Sequence, residues 1–177
     1  KEPNNTKYVS WHQDLTYWGL DGDELVTAWV ALSTVTSQNG CMKMLPGSHH
    51  KGKHQHRSTY SKDNILHRGQ ELSAEIDEEQ TVSVELEAGE VSFHHGWVAH
   101  ASHPNFSAER RIGLSLQYLA PRVRQKHTDH ESATLVRGED RYRNFLPEPL
   151  CEEDFAPEML SFQAEAERLK HEVYDTN

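Results

Sequence analysis

Short stretches rich in β-branched and aromatic residues, separated by turn-forming pairs, constrain the fold of this chain more than any other feature. Three stretches have strand character: 26–32 (VTAWVAL), 81–86 (TVSVEL) and 111–119 (RIGLSLQYL). Two further strands are predicted at 7–11 and 90–94. Turn-forming pairs lie between them, namely Asp21-Gly22, Asn39-Gly40, Pro46-Gly47, Ala88-Gly89 and Pro104-Asn105. Short strands with such turns are typical of a β-sandwich or a barrel, so the sequence predicts a mainly β fold.

Length and charge narrow the classes of function. The 177 residues suit one compact domain. The formal net charge of -10 repels polyanions, so we expect no nucleic-acid partner. No apolar run approaches the length of a membrane helix and no signal peptide is recognisable, so we expect no membrane association. The two cysteines, Cys41 and Cys151, form no CxxC motif, which favours a reducing, cytoplasmic location.

Two segments lack strand character, one inside the predicted β core and one after it. The segment 49–80 loses periodicity and turns from basic to acidic, which is typical of a lid-like insertion. We therefore interpret 1–177 as a single domain with a β core at 7–121 and a polar loop plus C-terminal helix at 122–177. The helix is predicted to be amphipathic because apolar residues recur at spacings of four and three: Phe155, Met159, Phe162, Ala166, Leu169 and Val173.

The chain contains 13 histidines, several times the usual share, and one of them lies in a pattern that suits a metal site. In an extended WHQD segment, His12 and Asp14 point to the same face. An imidazole and a carboxylate are two of the three ligands of the 2-His-1-carboxylate triad, which binds non-haem Fe(II) and leaves open positions. A second H-x-D, His127 to Asp129, lies in a polar stretch without a strand, and we interpret it as solvated surface.

The third ligand must come from elsewhere in the chain, and a cluster of four histidines at 94–103 offers candidates. Adjacent strand residues point to opposite faces, so at most one of His94 and His95 looks inward, where a core histidine is the alternative. His103 precedes a proline and is predicted to lie on a turn. His100 is followed by small residues that allow close approach to a ligand, and the spacing favours it.

Two neighbouring arginines, Arg110 and Arg111, open an otherwise apolar predicted strand. One of the two must point inward, and a buried guanidinium needs an anion because an unpaired buried charge is costly. The planar fork of arginine holds a carboxylate through two parallel hydrogen bonds. A salt bridge within the protein is the alternative. The residues alone do not distinguish the two arginines.

Five segments resemble, in order and spacing, the phytanoyl-CoA dioxygenase family of Fe(II)- and 2-oxoglutarate-dependent oxygenases. They are WHQDLTYW, VTAWVAL, QNGCMKMLPGSH, GEVSFHHGWVAHASHPN and RRIGLSLQY, and together they span residues 7–121. The resemblance implies a double-stranded β-helix, a jelly-roll or cupin-like fold with the site in its mouth. Family members carry about a hundred further residues before H-x-D, so we expect the N-terminal part of the family domain to be missing from this sequence.

The resemblance also implies which residues bind the metal. His12 and Asp14 match the H-x-D of the family, and His100 matches its distal histidine, so these three are the expected iron ligands. Asn105 matches a turn residue with a structural role. His49 belongs to a family turn, Pro-Gly-Ser-His, and is not expected to be a ligand.

A second group of residues is implied to hold the cosubstrate, 2-oxoglutarate. The family arginine for its far carboxylate lies eleven positions after the distal histidine, which implies Arg111 rather than Arg110. Ser102, two residues after His100, matches the hydroxyl that assists this arginine. Trp29 matches the aromatic residue that lines the cosubstrate pocket.

The sequence therefore predicts an enzyme, an Fe(II)- and 2-oxoglutarate-dependent oxygenase that uses O2 to hydroxylate an unactivated C-H bond of a small molecule. One alternative is a 2-oxoglutarate-dependent halogenase, because WHQDLTYWGLDG and GCMKMLPGSH also resemble the chlorinating branch of the family. Another is a non-catalytic module that binds metal and 2-oxoglutarate. A cupin-like metal site on His54 and His56 is a weaker alternative because no acidic ligand follows at short range. Zinc-dependent hydrolysis is disfavoured because the sequence contains no HExxH motif. An acyl-CoA, an amino acid and a natural product remain open as substrates.

Overall fold

The computed structural model describes residues 1–176, which divide into two compact units. The first unit contains Lys1–Asp14 and Leu25–Tyr118. The second contains Leu15–Glu24 and the described residues from Leu119 onward. Each unit is described by itself below.

The first unit contains the β structure. Its strands are β1 (Val9–His12), β2 (Leu25–Ala31), β3 (Met42–Met44), β4 (His56–Ser58), β5 (Gln70–Leu72), β6 (Val82–Val84), β7 (Val91–His95), β8 (His100–Ser102) and β9 (Gly113–Leu119). They form a four-stranded sheet in the order β1-β8-β3-β6, a three-stranded sheet in the order β7-β2-β9, and the pair β4-β5. The pairings β1 with β8, β2 with β7, and β3 with both β6 and β8 are antiparallel. The sheets do not close into a barrel, and the mainly β fold predicted from the sequence is confirmed.

The register between β2 and β7 follows from the alternation of their side chains. Thr27 lies opposite His94, and both are buried, whereas Phe93 on the other face is 68% exposed. Ala31, at the end of β2, forms a small core cluster with Val35 and Cys41, and the half-buried Trp29 and Leu86 pack against it. The polar pair Thr27 and His94 therefore lies on the inner face, where it is available to a site.

All five predicted strands occur, with bounds shifted by a few residues, and four short strands were not predicted. The unpredicted strands, β3, β4, β5 and β8, have three residues each, which is too short for a period of two to be recognised. Two of them, β4 and β5, pair within the segment 49–80. This segment also contains the 3-10 helix Glu78–Gln80 and is therefore more ordered than its lack of periodicity indicates.

The second unit contains the predicted C-terminal helix, α1 (Pro157–Thr176). Proline suits the first turn because that position has no intrahelical partner for an N-H group. Only Leu169 and Val173 of the predicted apolar stripe are buried, while Phe155 precedes the helix and is 84% exposed. Within residues 1–176, no helix combines the length and apolar character needed to cross a membrane.

Candidate metal centre

His12 and His100 face each other across the antiparallel pair β1 and β8. They are direct register partners, and their ring centroids lie 4.2 Å apart. Both side chains are buried, with 4% and 7% of the residue surface exposed. Residues 88 positions apart in sequence are thus brought together by strand pairing, as the family resemblance implied.

Each of these histidines is oriented by a hydrogen bond from its second ring nitrogen. Nδ1 of His12 lies 2.9 Å from the carbonyl oxygen of Ser10, and Nδ1 of His100 lies 3.0 Å from that of Val98. A carbonyl oxygen only accepts, so Nδ1 carries the proton in both rings. This tautomer leaves the Nε2 lone pairs free, which is the state in which histidine binds metals.

Asp14 completes the group where the chain leaves β1 and enters the short 3-10 helix Asp14–Thr16. Its Oδ1 lies 3.3 Å from Nε2 of His12 and 3.7 Å from Nε2 of His100. Its Oδ2 lies on the other side, where the hydroxyl of Thr27 donates to it at 3.4 Å. Among residues 1–176, these three form the one group of His, Cys, Asp or Glu side chains whose potential ligand atoms all lie within 4.8 Å of one another.

Electrostatics at this group favour the protonation states that bind a cation. Burial acts to raise the pKa of Asp14, but the neighbouring imidazoles of His100 and His12 outweigh it and hold that pKa far below its ordinary value. Burial lowers the pKa of His100 to about 3. At neutral pH the carboxylate is therefore ionised and His100 is neutral, as metal ligation requires.

The donor set fits a divalent metal ion of the non-haem iron class. Two imidazoles with free Nε2 atoms and one carboxylate oxygen lie within 4.8 Å of one another. A bound cation would also compensate the negative charge of Asp14. Two histidines and one carboxylate are the protein ligands that hold Fe(II) while leaving coordination positions open.

A second cluster begins two residues further along β8, at Ser102. Side chains two residues apart on a strand share a face and lie about 7 Å apart. The Ser102 hydroxyl donates to the carbonyl of Gly40 at 2.7 Å, and Nη1 of Arg111 contacts the same carbonyl and also the Ser102 Oγ at 3.3 Å. The ring of Trp29 lies 5.3 Å from the guanidinium carbon of Arg111. The structure thus brings together the three residues predicted to bind the cosubstrate.

The two adjacent arginines have different surroundings. Arg110 has a side chain that is 60% exposed and pairs with Glu2 at 3.0 Å. Arg111 forms no ion pair with any acidic side chain of residues 1–176, and its buried Nε has no hydrogen-bond partner. Burial lowers the pKa of Arg111, because no carboxylate compensates its charge. An uncompensated inward guanidinium with an unused donor fits a ligand that carries a carboxylate.

Two glycines support this cluster and were not recognised as functional from the sequence. The Gly40 carbonyl accepts hydrogen bonds from both Ser102 and Arg111. Gly40 has a φ of 77°, a backbone conformation that favours glycine. A Cβ on residue 40 would also overlap the backbone oxygen of His103. A Cβ on Gly113 would likewise overlap the indole of Trp29. A glycine inside a strand indicates such a close approach, so Gly113 in RRIGLSLQYL was the available clue.

The remaining histidines of the 94–103 cluster take different positions. His94 is buried and lies on the inner face of β7, whereas His95 is half-buried and accepts a hydrogen bond from the Trp97 N-H at 3.1 Å. His103 is exposed, as predicted for a turn. Asn105 is fully buried, donates to the Glu109 carbonyl at 2.7 Å, and thereby has the structural role expected of it.

The histidines of the weaker alternatives do not form metal sites in the described chain. His54 and His56 belong to no ligand group, and Nε2 of His56 accepts a hydrogen bond from the backbone N-H of Gln13 at 3.1 Å. The second H-x-D, His127 and Asp129, lies in the second unit and likewise belongs to no such group within residues 1–176.

Comparisons with known proteins agree with this geometry. Phytanoyl-CoA dioxygenase 1 from Oryza sativa subsp. japonica is 29% identical over 152 residues, which cover 86% of this chain and 50% of that protein. A probable alpha-ketoglutarate-dependent hypophosphite dioxygenase from Stutzerimonas stutzeri is 32% identical over 122 residues, which cover 67% of this chain and 42% of that protein. The chain thus spans about half the length of the curated relatives it matches.

Solved structures show the same likeness. The apo form of the non-heme monooxygenase ThoJ matches with a TM-score of 0.85 and 35% identity, covering 99% of this chain and 64% of that one. Its nickel complex matches with a TM-score of 0.78 and 32% identity, covering 99% and 62%. A model of the phytanoyl-CoA dioxygenase (PhyH) family matches residues 1–113, which is more than half of the sequence. The chain therefore belongs to the phytanoyl-CoA dioxygenase family.

Proposed function

We propose that this chain carries the core of an Fe(II)- and 2-oxoglutarate-dependent oxygenase that hydroxylates an unactivated C-H bond of a small molecule. The observation that carries the proposal is that the potential ligand atoms of His12, Asp14 and His100 lie close together, with both Nε2 atoms free to bind. The relatives support it, since they include a probable alpha-ketoglutarate-dependent hypophosphite dioxygenase and a non-heme monooxygenase with a nickel complex. Bound iron would supply the activation of O2.

The residues of the chain would bind, orient and enclose the reactants. Arg111 would hold the far carboxylate of 2-oxoglutarate with its planar fork, assisted by the Ser102 hydroxyl, while Trp29 covers the guanidinium. Because Ser102 and His100 share one face of β8, a short dicarboxylate anchored at Arg111 can extend toward the metal centre.

The segment 49–80 is proposed to act as a lid over the substrate. Its start is tied to the metal centre through the fully buried Gln13, next to His12, which donates to the Gly52 carbonyl at 2.9 Å and accepts from the His54 N-H at 2.8 Å. A lid linked to β1, the strand that carries His12, would exclude water from the site when substrate is bound. The single-domain organisation and the cytoplasmic location stay predictions.

The direct test is cosubstrate turnover. Purified protein is supplied with Fe(II), 2-oxoglutarate and O2 and with acyl-CoA, amino-acid and natural-product candidates, and succinate is measured. We expect succinate only when Fe(II) is present, and none from His12→Ala protein. Tight binding of Fe(II) and 2-oxoglutarate without succinate under any condition would instead support the non-catalytic module.

The halogenase alternative is disfavoured by Asp14. A carboxylate in the third ligand position occupies the place where a halide would have to bind iron. Mass spectrometry of the product formed in excess chloride should therefore show added oxygen and no chlorine isotope pattern. A chlorinated product from the unmodified protein would support the halogenase. Asp14→Gly should lose hydroxylation without chlorinating efficiently, because placement of the substrate also selects the group transferred.

A further inference from the structure

The carboxylate of Asp14 lies between the two larger sheets and contacts each of them with a different oxygen. Oδ1 faces His12 and His100, which belong to the four-stranded sheet. Oδ2 faces Thr27 and His94, which belong to the three-stranded sheet. Each pair consists of direct register partners on antiparallel strands. The second pair was not assigned a function by the family resemblance.

His94 is the unusual member of this second pair. The residue is 6% exposed, yet neither of its ring nitrogens makes a hydrogen bond. A buried polar group without a partner is costly and uncommon, and it indicates that a partner is absent or displaced. Oδ2 of Asp14 lies 3.7 Å from Nε2 of His94, which is just beyond hydrogen-bond distance.

We propose that His94 is a positioning residue that donates its Nε2-H to Oδ2 of Asp14 when a metal ion occupies the centre. Together with the hydroxyl of Thr27, which already donates to Oδ2 at 3.4 Å, it would hold the carboxylate so that only Oδ1 binds the metal. This inference rests on the proposed metal centre and names a residue outside the ligand set.

The consequence is a controlled number of open positions on the metal. A carboxylate whose second oxygen is unrestrained can rotate and bind through both oxygens, which consumes a position that 2-oxoglutarate or O2 needs. Two donors on Oδ2 prevent that rotation. Partners that orient metal ligands typically change metal affinity by about 10- to 100-fold when removed.

The alternative role of His94, a third histidine ligand, fits the geometry less well. Its Nε2 lies on the Oδ2 side of Asp14, whereas His12 and His100 converge on Oδ1. The ring centroid of His94 lies 4.9 Å from that of His100, compared with 4.2 Å between His12 and His100. His94 is also outside the group of side chains whose ligand atoms lie within 4.8 Å of one another.

The test uses Co(II) as a probe, with its affinity measured by calorimetry and its coordination followed through the visible d-d spectrum. His94→Phe keeps an aromatic ring but removes the donor, and His94→Gln returns an N-H near the position of Nε2. His95→Phe alters the neighbouring, half-buried residue on the opposite face of β7 and serves as the matched control. Thr27→Val removes the second donor with little change in volume.

We expect His94→Phe to weaken Co(II) binding about 10- to 100-fold and to change the d-d spectrum. His94→Gln should restore most of the affinity, Thr27→Val should weaken binding less than His94→Phe, and His95→Phe should bind within about twofold of the unmodified protein. Thermal unfolding of the metal-free proteins establishes that each variant is folded. If His94→Phe does not fold, His94→Leu takes its place as the variant without a donor, and Co(II) binding by His94→Leu as tight as that of His94→Gln would overturn the inference.

Two further outcomes would overturn the inference while the proposed function stands. In one, His94→Phe binds Co(II) with unchanged affinity and spectrum, so that His94 is only a core residue. In the other, electron spin-echo spectra of Cu(II)-loaded protein show three bound imidazoles that fall to two in His94→Phe, so that His94 is a ligand. A failure of the unmodified protein to bind Co(II) would instead remove the metal centre itself and the inference with it.

Discussion

The two ends of the proposed site differ in how their charges are balanced. At the metal end, the carboxylate of Asp14 lies among imidazoles that lower its pKa, and the donors and acceptors around Oδ1 are arranged before any ligand binds. At the carboxylate end, Arg111 is a half-buried cation without an acidic partner and with an unused Nε. The three candidate ligand atoms at the first end therefore already lie close together, whereas the guanidinium at the second end has no acidic side chain beside it, which fits a carboxylate from outside the protein.

This difference indicates that the metal end determines binding of the cation and the carboxylate end determines binding of 2-oxoglutarate. Removing a ligand at the metal end should weaken binding of the cation strongly, because it takes away one of only three ligand atoms. Removing a group at the carboxylate end should weaken binding of 2-oxoglutarate and leave the affinity for the metal unchanged. The strand β8 contributes to both ends through His100 and Ser102, so variants along it separate the two contributions.

The largest effect is expected from His100→Ala. Loss of one of three ligands should reduce Fe(II) affinity by more than the ~100-fold that marks the upper range for partners of ligands. Metal titration measures this, with His103→Ala as the control because His103 is exposed and lies three residues further along the chain. Equal affinities in the two variants would contradict the assignment of the metal end.

At the carboxylate end, Arg111→Lys should weaken 2-oxoglutarate binding by about 30-fold, which corresponds to ~2 kcal/mol for a lost charge-assisted hydrogen bond. An ammonium group cannot reproduce two parallel hydrogen bonds to a carboxylate. Arg110→Lys is the matched control, since Arg110 is exposed and paired with Glu2. Calorimetry on the metal-loaded proteins measures both. Fe(II) affinity should be unaltered in both variants. A larger loss of 2-oxoglutarate affinity in Arg110→Lys than in Arg111→Lys would show that the carboxylate end has been assigned to the wrong arginine.

A smaller effect is expected from Gly113→Ala. The added Cβ would overlap the indole of Trp29, so the ring must shift away from Arg111. Overpacking of this kind costs about 1–3 kcal/mol of stability, and 2-oxoglutarate affinity should fall by at most about tenfold. Urea denaturation and calorimetry measure the two effects. Ser115→Ala, on the exposed strand β9, is the control, and adding Trp29→Phe should relieve the overlap. Unchanged binding in Gly113→Ala would show that Trp29 does not shape the pocket.

The sequence predicted those parts of the site that depend on local spacing. The opposite orientation of neighbours in a strand leaves one inward residue in the pair His94/His95 of β7. Strand alternation does not account for Asp14, which follows β1, or for Arg110 and Arg111, which precede β9. Which member faces inward is decided by pairing with distant strands, as with His94 opposite Thr27. That choice cannot be derived from a local pattern.

Features that depend on contacts between distant segments were not predictable from local sequence. The strand β8 has only three residues and exists because it pairs with both β1 and β3. Gly40 is recognisable as a turn residue, but its carbonyl becomes a shared acceptor only because Ser102 and Arg111 approach it from more than 60 residues away. The helix α1 was predicted from its apolar stripe, yet the burial of only its C-terminal part depends on packing.

The smallest expected effect concerns the support of the metal end by His56. Nε2 of His56 accepts the backbone N-H of Gln13, next to His12, and burial lowers the pKa of His56 to about 4. The folded state therefore favours the neutral ring, so the contribution of His56 to stability is complete above the unfolded pKa of 6.5 and is lost as pH falls from 6.5 toward 4. Since the side chain is half-buried and screened by solvent, we expect the free energy of unfolding to fall by about 1 kcal/mol between pH 7 and pH 5.

Urea denaturation of metal-free protein at the two pH values measures this loss. In His56→Gln, which cannot titrate, the pH dependence should be shallower by that amount. A slope unchanged by His56→Gln would show that this histidine does not couple the metal end to pH.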